Sequence, residues 1–157
     1  MKRFIKVFAV IATVAAFAAC NKSEGKESGL QLANEVTGTY SGTFTMSVMG
    51  SSTGSENLDC TISYASDNAV DVVLDPFTAM GSTQFALSAE DVAVAAVEDG
   101  YSLNGSIDTM SGDTHVTGTV TGTVRGDGSC EITFEFTPGS MPMSITGVFT
   151  SQSRTDE

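Results

Sequence analysis

The stretch THVTGTVTGTVRGDGSCEITFEFT, residues 114–137, decides the fold. In its first half Val116, Gly118, Val120, Gly122 and Val124 share one face, and Thr117, Thr119, Thr121 and Thr123 share the other. Its second half sets Cys130, Ile132, Phe134 and Phe136 against Glu131, Thr133 and Glu135. A period of two in β-branched and aromatic residues marks strands with one wet face. Directly opposed residues of a hairpin share a face. The pattern therefore places Val124 opposite Cys130, Gly122 opposite Ile132, Val120 opposite Phe134 and Gly118 opposite Phe136. That register leaves Gly126-Asp127-Gly128 as a three-residue loop, a type I turn followed by a left-handed Gly128 closing a bulge. Glycines beneath bulky cross-strand neighbours let a sheet coil toward closure.

Working outward, parity predicts further strands on both sides. The first runs over about Thr37 to Met49 with Tyr40, Phe44, Met46 and Val48 inward, and a slack loop, Gly50 to Ser55, follows. The second, Asn57 to Tyr64, turns Leu58, Cys60, Ile62 and Tyr64 inward. Ser66-Asp67-Asn68 reads as a three-residue loop with Asn68 left-handed. The third strand carries Val70, Val72 and Leu74, and Pro76 is expected to end it. In the fourth, Phe85 and Leu87 set one parity while Val92, Val94 and Ala96 set the other. A β-bulge near Glu90 joins them into one strand. A helix capped at Ser88 to Asp91 is the alternative for this segment. An Asp99-Gly100 turn leads to Tyr101, Leu103 and Ile107 of the fifth strand, with Tyr101 expected opposite Gly122 and Gly105 opposite Gly118. A loop around Met110 to Asp113 joins it to the opening hairpin. The last strand follows Thr137 to Ser140, with Met143 expected opposite Phe134, Ile145 opposite Ile132, and Phe149 at its end. The expectation is an all-β, eight-stranded antiparallel up-and-down β-barrel. A two-sheet sandwich would want longer crossovers than this chain has.

Residues 1–19 read as a leader rather than as fold. Lys2, Arg3 and Lys6 precede an apolar run, Val7 to Ala19, that is too short for a bilayer span of about 20 residues. Phe17-Ala18-Ala19-Cys20 resembles the lipobox of bacterial lipoproteins, which implies cleavage before Cys20, its acylation and stable anchoring. Asn21 after the cut points to the outer membrane. Residues 20–35 are polar and suit a flexible tether, 36–151 form the barrel domain, and 152–157 are a polar tail. From Val36 to Ser151 fourteen Asp and Glu face Arg125 alone. Such a surface repels nucleic acid and anionic lipid head groups, and its plainest use is solubility. Cys60 and Cys130 fall on apolar parities of strands that are not neighbours, so each reads as a core residue and a disulfide between them is disfavoured.

Four motifs carry a family resemblance: Gly38-x-Tyr40-x-Gly42, the turn Asp99-Gly100-Tyr101-Ser102, Gly118-x-Val120-x-Gly122, and Met141-Pro142-Met143-Ser144-Ile145. Together they resemble the calycin-like domain found in lipoproteins of anaerobic bacteria. The resemblance implies a lipocalin-like eight-stranded barrel and carries no assigned reaction or ligand.

Catalysis is poorly supplied, and no enzyme is expected. The one histidine, His115, stands at a hairpin mouth, no Gly-x-Ser-x-Gly elbow exists, and strand carboxylates Asp59, Asp71, Glu131 and Glu135 face outward. No Cys/His cluster or calcium-loop spacing calls for a metal, and no cofactor is expected. Arg125-Gly126-Asp127 spells an integrin-type tripeptide, yet the turn itself accounts for it. Asp108-Thr109-Met110, in a predicted loop, fits a short O-glycosylation motif of exported bacterial proteins. The loop Pro76 to Gly81 is expected to expose Phe77 and Met80 near one rim. The remaining candidate is the interior, where Tyr40, Phe44, Met46, Phe134, Phe136 and Met143 are expected. These side chains either wall a cavity for a small apolar ligand or fill the barrel, and the absence of tryptophan and the small loops favour filling. Two functions follow: a lipid-anchored module holding a small hydrophobic molecule, or an envelope interaction lipoprotein that docks a partner by its outer face or loops.

Overall fold

The computed structural model describes residues 32–79 and 81–155. The leader, Cys20, most of the expected tether and Met80 lie outside the described residues. Eight strands run in order: β1 Gly38–Val48, β2 Ser51–Ser66, β3 Ala69–Ala79, β4 Thr83–Val97, β5 Gly100–Ser111, β6 Thr114–Arg125, β7 Cys130–Pro138 and β8 Ile145–Ser151. Each pairs antiparallel with the next, and β1 also pairs with β8, which closes the sheet into a barrel. A short ninth strand, β9 Arg154–Thr155, lies on β1 at Tyr40 and Thr39. Nothing in the polar tail signals β9.

The central hairpin has the register read from its pattern: Val124 opposite Cys130, Gly122 opposite Ile132, Val120 opposite Phe134 and Gly118 opposite Phe136. Gly128 adopts φ 87° and donates its N–H to Arg125 O at 3.0 Å, while Arg125 N–H donates to Ser129 O at 2.8 Å. The expected bulge in β4 is also present. Asp71 faces the pair Glu90-Asp91, Asp91 has φ 53°, and the parity flip buries Ala89, Val92 and Val94 together, though Ala96 is exposed.

Other registers differ by even steps, which parity cannot detect. Across β5–β6 Leu103, not Tyr101, faces Gly122, and Ile107, not Gly105, faces Gly118. The cause is the turn: Gly112 takes φ 61°, the first position of a tight two-residue turn, so Ser111 pairs with Thr114. Across β7–β8 Gly147 faces Phe134 and Phe149 faces Ile132, because the connection after Pro138 runs on to Ser144. Met143 therefore lies outside any strand and is 38% exposed, not an interior residue. The first hairpin turns at Met49-Gly50, φ 51° and 81°, so β2 begins at Ser51 and the slack loop is strand instead. Ser66 pairs with Ala69, leaving Asp67-Asn68 as the turn, and Asn68 is not left-handed. Tyr64, opposite Val70 at the strand end, is 46% exposed rather than core and donates to Asp67 Oδ1 at 3.1 Å.

Pro76 does not end β3. It sits in a bulge, where Asp75-Pro76 faces Ala86 and no ladder hydrogen bond is required of it. The bulge keeps Phe77 inward and fully buried, so Phe77 is a core residue of β3 and not part of an exposed loop. Beyond the Cys60–Leu74 pair β2 and β3 part, and Glu56 spans the gap by accepting from Thr78 N–H at 2.9 Å.

The inward glycines explain how eight strands coil so tightly. A Cβ on Gly118 would press on the Glu135 carbonyl oxygen and lie 2.7 Å from Phe136 Cα. One on Gly122 would lie 2.8 Å from Glu131 O, and one on Gly147 would enter the Phe44 ring. Gly118→Val and Gly122→Val should each cost at least about 3 kcal/mol in urea unfolding, whereas Thr117→Val on the outer face should stay within about 0.5 kcal/mol. Equal effects at inner and outer positions would contradict the placement.

Candidate functional site

The strands bring Tyr40, Phe44, Met46, Phe134 and Phe136 into one interior, each no more than 3% exposed. Phe77, which the bulge supplies, sits at its centre. Its ring lies 4.8 Å from Phe44, 6.0 Å from Phe136 and 6.3 Å from Phe85 between centroids, and Phe44 lies 6.1 Å from Phe134. Tilted and edge-to-face contacts at these spacings are favourable packing, each worth about 0.5–1.5 kcal/mol beyond area burial. Ile62, Leu74, Leu87, Leu103, Ile107, Ile132 and Phe149 complete the core. Of the side chains expected as cavity walls, Phe44 and Phe134 meet directly, and Phe77 bridges Phe44 to Phe136.

One barrel end is closed by chain on both sides of the barrel sequence. Residues 32–36 are helical, with Ala33 and Val36 fully buried and Leu32 packed on the core. This segment overlaps the end of the expected tether, and it sets Leu32, Ala33 and Val36 toward the core. Tyr40 Oη donates to Val36 O at 2.8 Å, and Arg154 Nη1 donates to Glu35 O at 3.0 Å and Thr37 O at 3.2 Å. Ser151 Oγ donates to Ser41 O at 2.7 Å. Between this plug and the β6–β7 turn lies a polar cleft of about 280 Å³, lined among others by Glu35, Tyr101, Arg125, Asp127 and Arg154. Two further clefts, between β1, β2 and β3 and over β5, β6 and β7, lie among outward Ser, Thr and Asn residues.

Three buried acids sit below the cleft. Burial pushes the Tyr40 phenol up to about 12, and the Arg154 charge offsets part of that rise. Burial raises the Cys130 thiol to about 11 and raises Cys60 further. Both thiols are free. At the hairpin tip Asp127 accepts from Ser129 Oγ at 2.6 Å and Ser129 N–H at 2.9 Å, and these bonds hold its carboxyl below the usual range. The aspartate of the Arg-Gly-Asp tripeptide is thus spent on its own turn. Asp59 accepts from Ser41 Oγ at 2.6 Å and Asp71 from Asp91 N–H at 3.1 Å, so both serve the strand framework. Thr109 lies within β5, not in a loop, and shares a 2.8 Å hydrogen bond with Ser88 Oγ. His115 Nε2 is 2.6 Å from Asp108 Oδ1 on the open outer face. Among the described residues no three His, Cys, Asp or Glu side chains gather as a metal cage.

The family model described as Calycin-like beta-barrel domain matches residues 36–152. No curated protein matches the chain. Among solved structures, a Bacteroides fragilis protein provisionally described as an outer membrane protein is similar, with 28% identity and a TM-score of 0.68. The match covers 78% of this chain and 52% of that one, so the chain spans about half that protein's length. A redesigned β-barrel matches at 16% identity and a TM-score of 0.47, covering 78% of this chain and 96% of the other.

Both Tyr40 and Cys130 titrate higher folded than unfolded, from 10.0 to about 12 and from 9.0 to about 11. Their contribution is therefore full below about pH 9 and is lost as pH rises through the folded values, because only the unfolded chain ionises in between. Thermal melts should be flat from neutral pH to about 9 and fall steeply from there to 12, and Tyr40→Phe should shallow that fall. A melting temperature independent of pH above 9 would contradict the burial of these groups.

Proposed function

Because the chain belongs to the calycin-like β-barrel domain family, we propose that it is a lipid-anchored outer-membrane protein whose barrel is a filled, non-enzymatic scaffold presenting its outer face and turns to partners in the envelope. The observation that carries this reading is the mutual packing of Phe44, Phe77, Phe134 and Phe136, the residues a container would have held apart. A small hydrophobic molecule could enter only by separating these rings, each of which stabilises the fold by burial of about 1.5–3 kcal/mol. The packing therefore favours external docking over internal binding. Anchoring is supported by the order of basic start, apolar run, Phe17-Ala18-Ala19 and Cys20. The outer-membrane description of the similar B. fragilis protein agrees with that address.

Two measurements test the reading. Native mass spectrometry of protein purified from its own cells should give the acylated chain with no further small molecule, and a stoichiometric added lipid or pigment would overturn the filled scaffold. Cys20→Ser should move the protein from the membrane to the soluble fraction, and retention in the membrane would overturn the anchor.

A further inference from the structure

Residues 32–155 carry fifteen Asp and Glu, and their only Lys or Arg residues are Arg125 and Arg154. Both arginines line the same cleft, the one of about 280 Å³ between the plug and the β6–β7 turn. Cations spread over so acidic a surface would each be drawn to a different group of carboxylates. Their convergence on one concavity asks for a reason beyond solubility. Glu35 and Asp127 supply the carboxylates of the same wall, with Tyr101 and Ser153 beside them.

The cleft is built from both sides. Arg154 lies on β9 opposite Tyr40, and its side chain passes over Gly38, where a Cβ would stand 2.9 Å from Arg154 Cγ. Arg154 Nη1 donates to Glu35 O at 3.0 Å and to Thr37 O at 3.2 Å. These carbonyls fix the guanidinium and carry no net charge of their own. On the other side the β6–β7 turn abuts the same strand, since a Cβ on Gly128 would lie 3.3 Å from Arg154 N. Gly126 N–H donates to Asp99 O at 3.2 Å, which ties that turn to the β4–β5 turn as well. Arg125 is exposed and acts on Asp127 through its charge, yet it forms no ion pair among the described residues. Asp127 is held ionised by its two bonds from Ser129.

The wall thus carries two positive and two negative groups. A plain anion would meet Glu35 and Asp127 as well as the arginines, and a plain cation would meet the arginines. A molecule with both signs avoids either repulsion. Pockets for drug-sized ligands run to about 300–1,000 Å³, so about 280 Å³ suits something smaller. We propose that this cleft binds a small zwitterion, a free α-amino acid. Its carboxylate lies on the Arg125 guanidinium within the field of Arg154, and its ammonium lies on the Glu35 and Asp127 carboxylates. A guanidinium suits the first role because its planar fork can bind both carboxylate oxygens. Glu35, Arg125 and Asp127 are exposed, so the ligand exchanges with solvent and is lost on purification. The site is independent of whether the barrel is filled or the chain is anchored.

The test uses the full ¹⁵N-labelled chain in detergent micelles at pH 7, titrated separately with L-alanine, acetate and methylammonium. The Gly126, Gly128 and Ser153 amide resonances should shift saturably with L-alanine. Acetate and methylammonium, each keeping one charge, should bind at least about tenfold more weakly. Arg125→Gln and Glu35→Gln should each weaken L-alanine binding by about tenfold or more with an unchanged melting temperature. The absence of a saturable shift with L-alanine would overturn the site. So would acetate binding as tightly as L-alanine, which would make the cleft a plain anion site, or undiminished L-alanine binding in Arg125→Gln.

Discussion

The structure depends on how closely neighbouring backbones approach at positions that have no side chain. Gly118 meets the Glu135 carbonyl and Phe136 Cα, Gly42 meets the Thr150 carbonyl, and Gly147 gives its space to the Phe44 ring. A glycine inside a strand forfeits packing and conformational entropy, about 0.5–1 kcal/mol relative to alanine. Here that cost is offset by tighter coiling, which brings β1 onto β8 and removes the open edges of the sheet. The same contraction sets the interior volume. Once the wall has drawn in at the glycines, the phenylalanine rings reach one another across the lumen.

Ring contacts cross the interior, and residues 32–36 with Arg154 plug one end, so the filled scaffold proposed above would leave binding to the outer face and turns. The two ends differ in kind. The plugged end receives the chain from its N-terminal side and holds buried acids beneath a polar cleft, whereas the opposite rim carries thioethers and the only imidazole.

Parity and turn chemistry made the closed antiparallel meander legible, together with the full β6–β7 register. The reason is local: Gly126-Asp127-Gly128 can form only one kind of short loop between those strands. Where a turn admitted two readings, the strand slipped by two or four residues with every side chain still on its proper face, as at Gly112 and after Pro138. Met143 was misplaced by such a slip. Phe77 was hidden for a different reason, because a proline inside a bulge looks like a strand end when no partner strand is in view. The plug was missed since Leu32, Ala33 and Val36 form barely more than one helical turn, too short for a period to register.

The central claim is that glycine-assisted coiling leaves no apolar space inside the barrel. Xenon enters dry apolar cavities, so ¹²⁹Xe NMR of the purified domain under increasing gas pressure reads that space directly. The account predicts a shift that changes linearly with protein concentration and shows no saturable site. A saturable shift accompanied by perturbation of the Phe44, Phe77 and Phe134 resonances would contradict it, because it would reveal a lumen able to hold a guest.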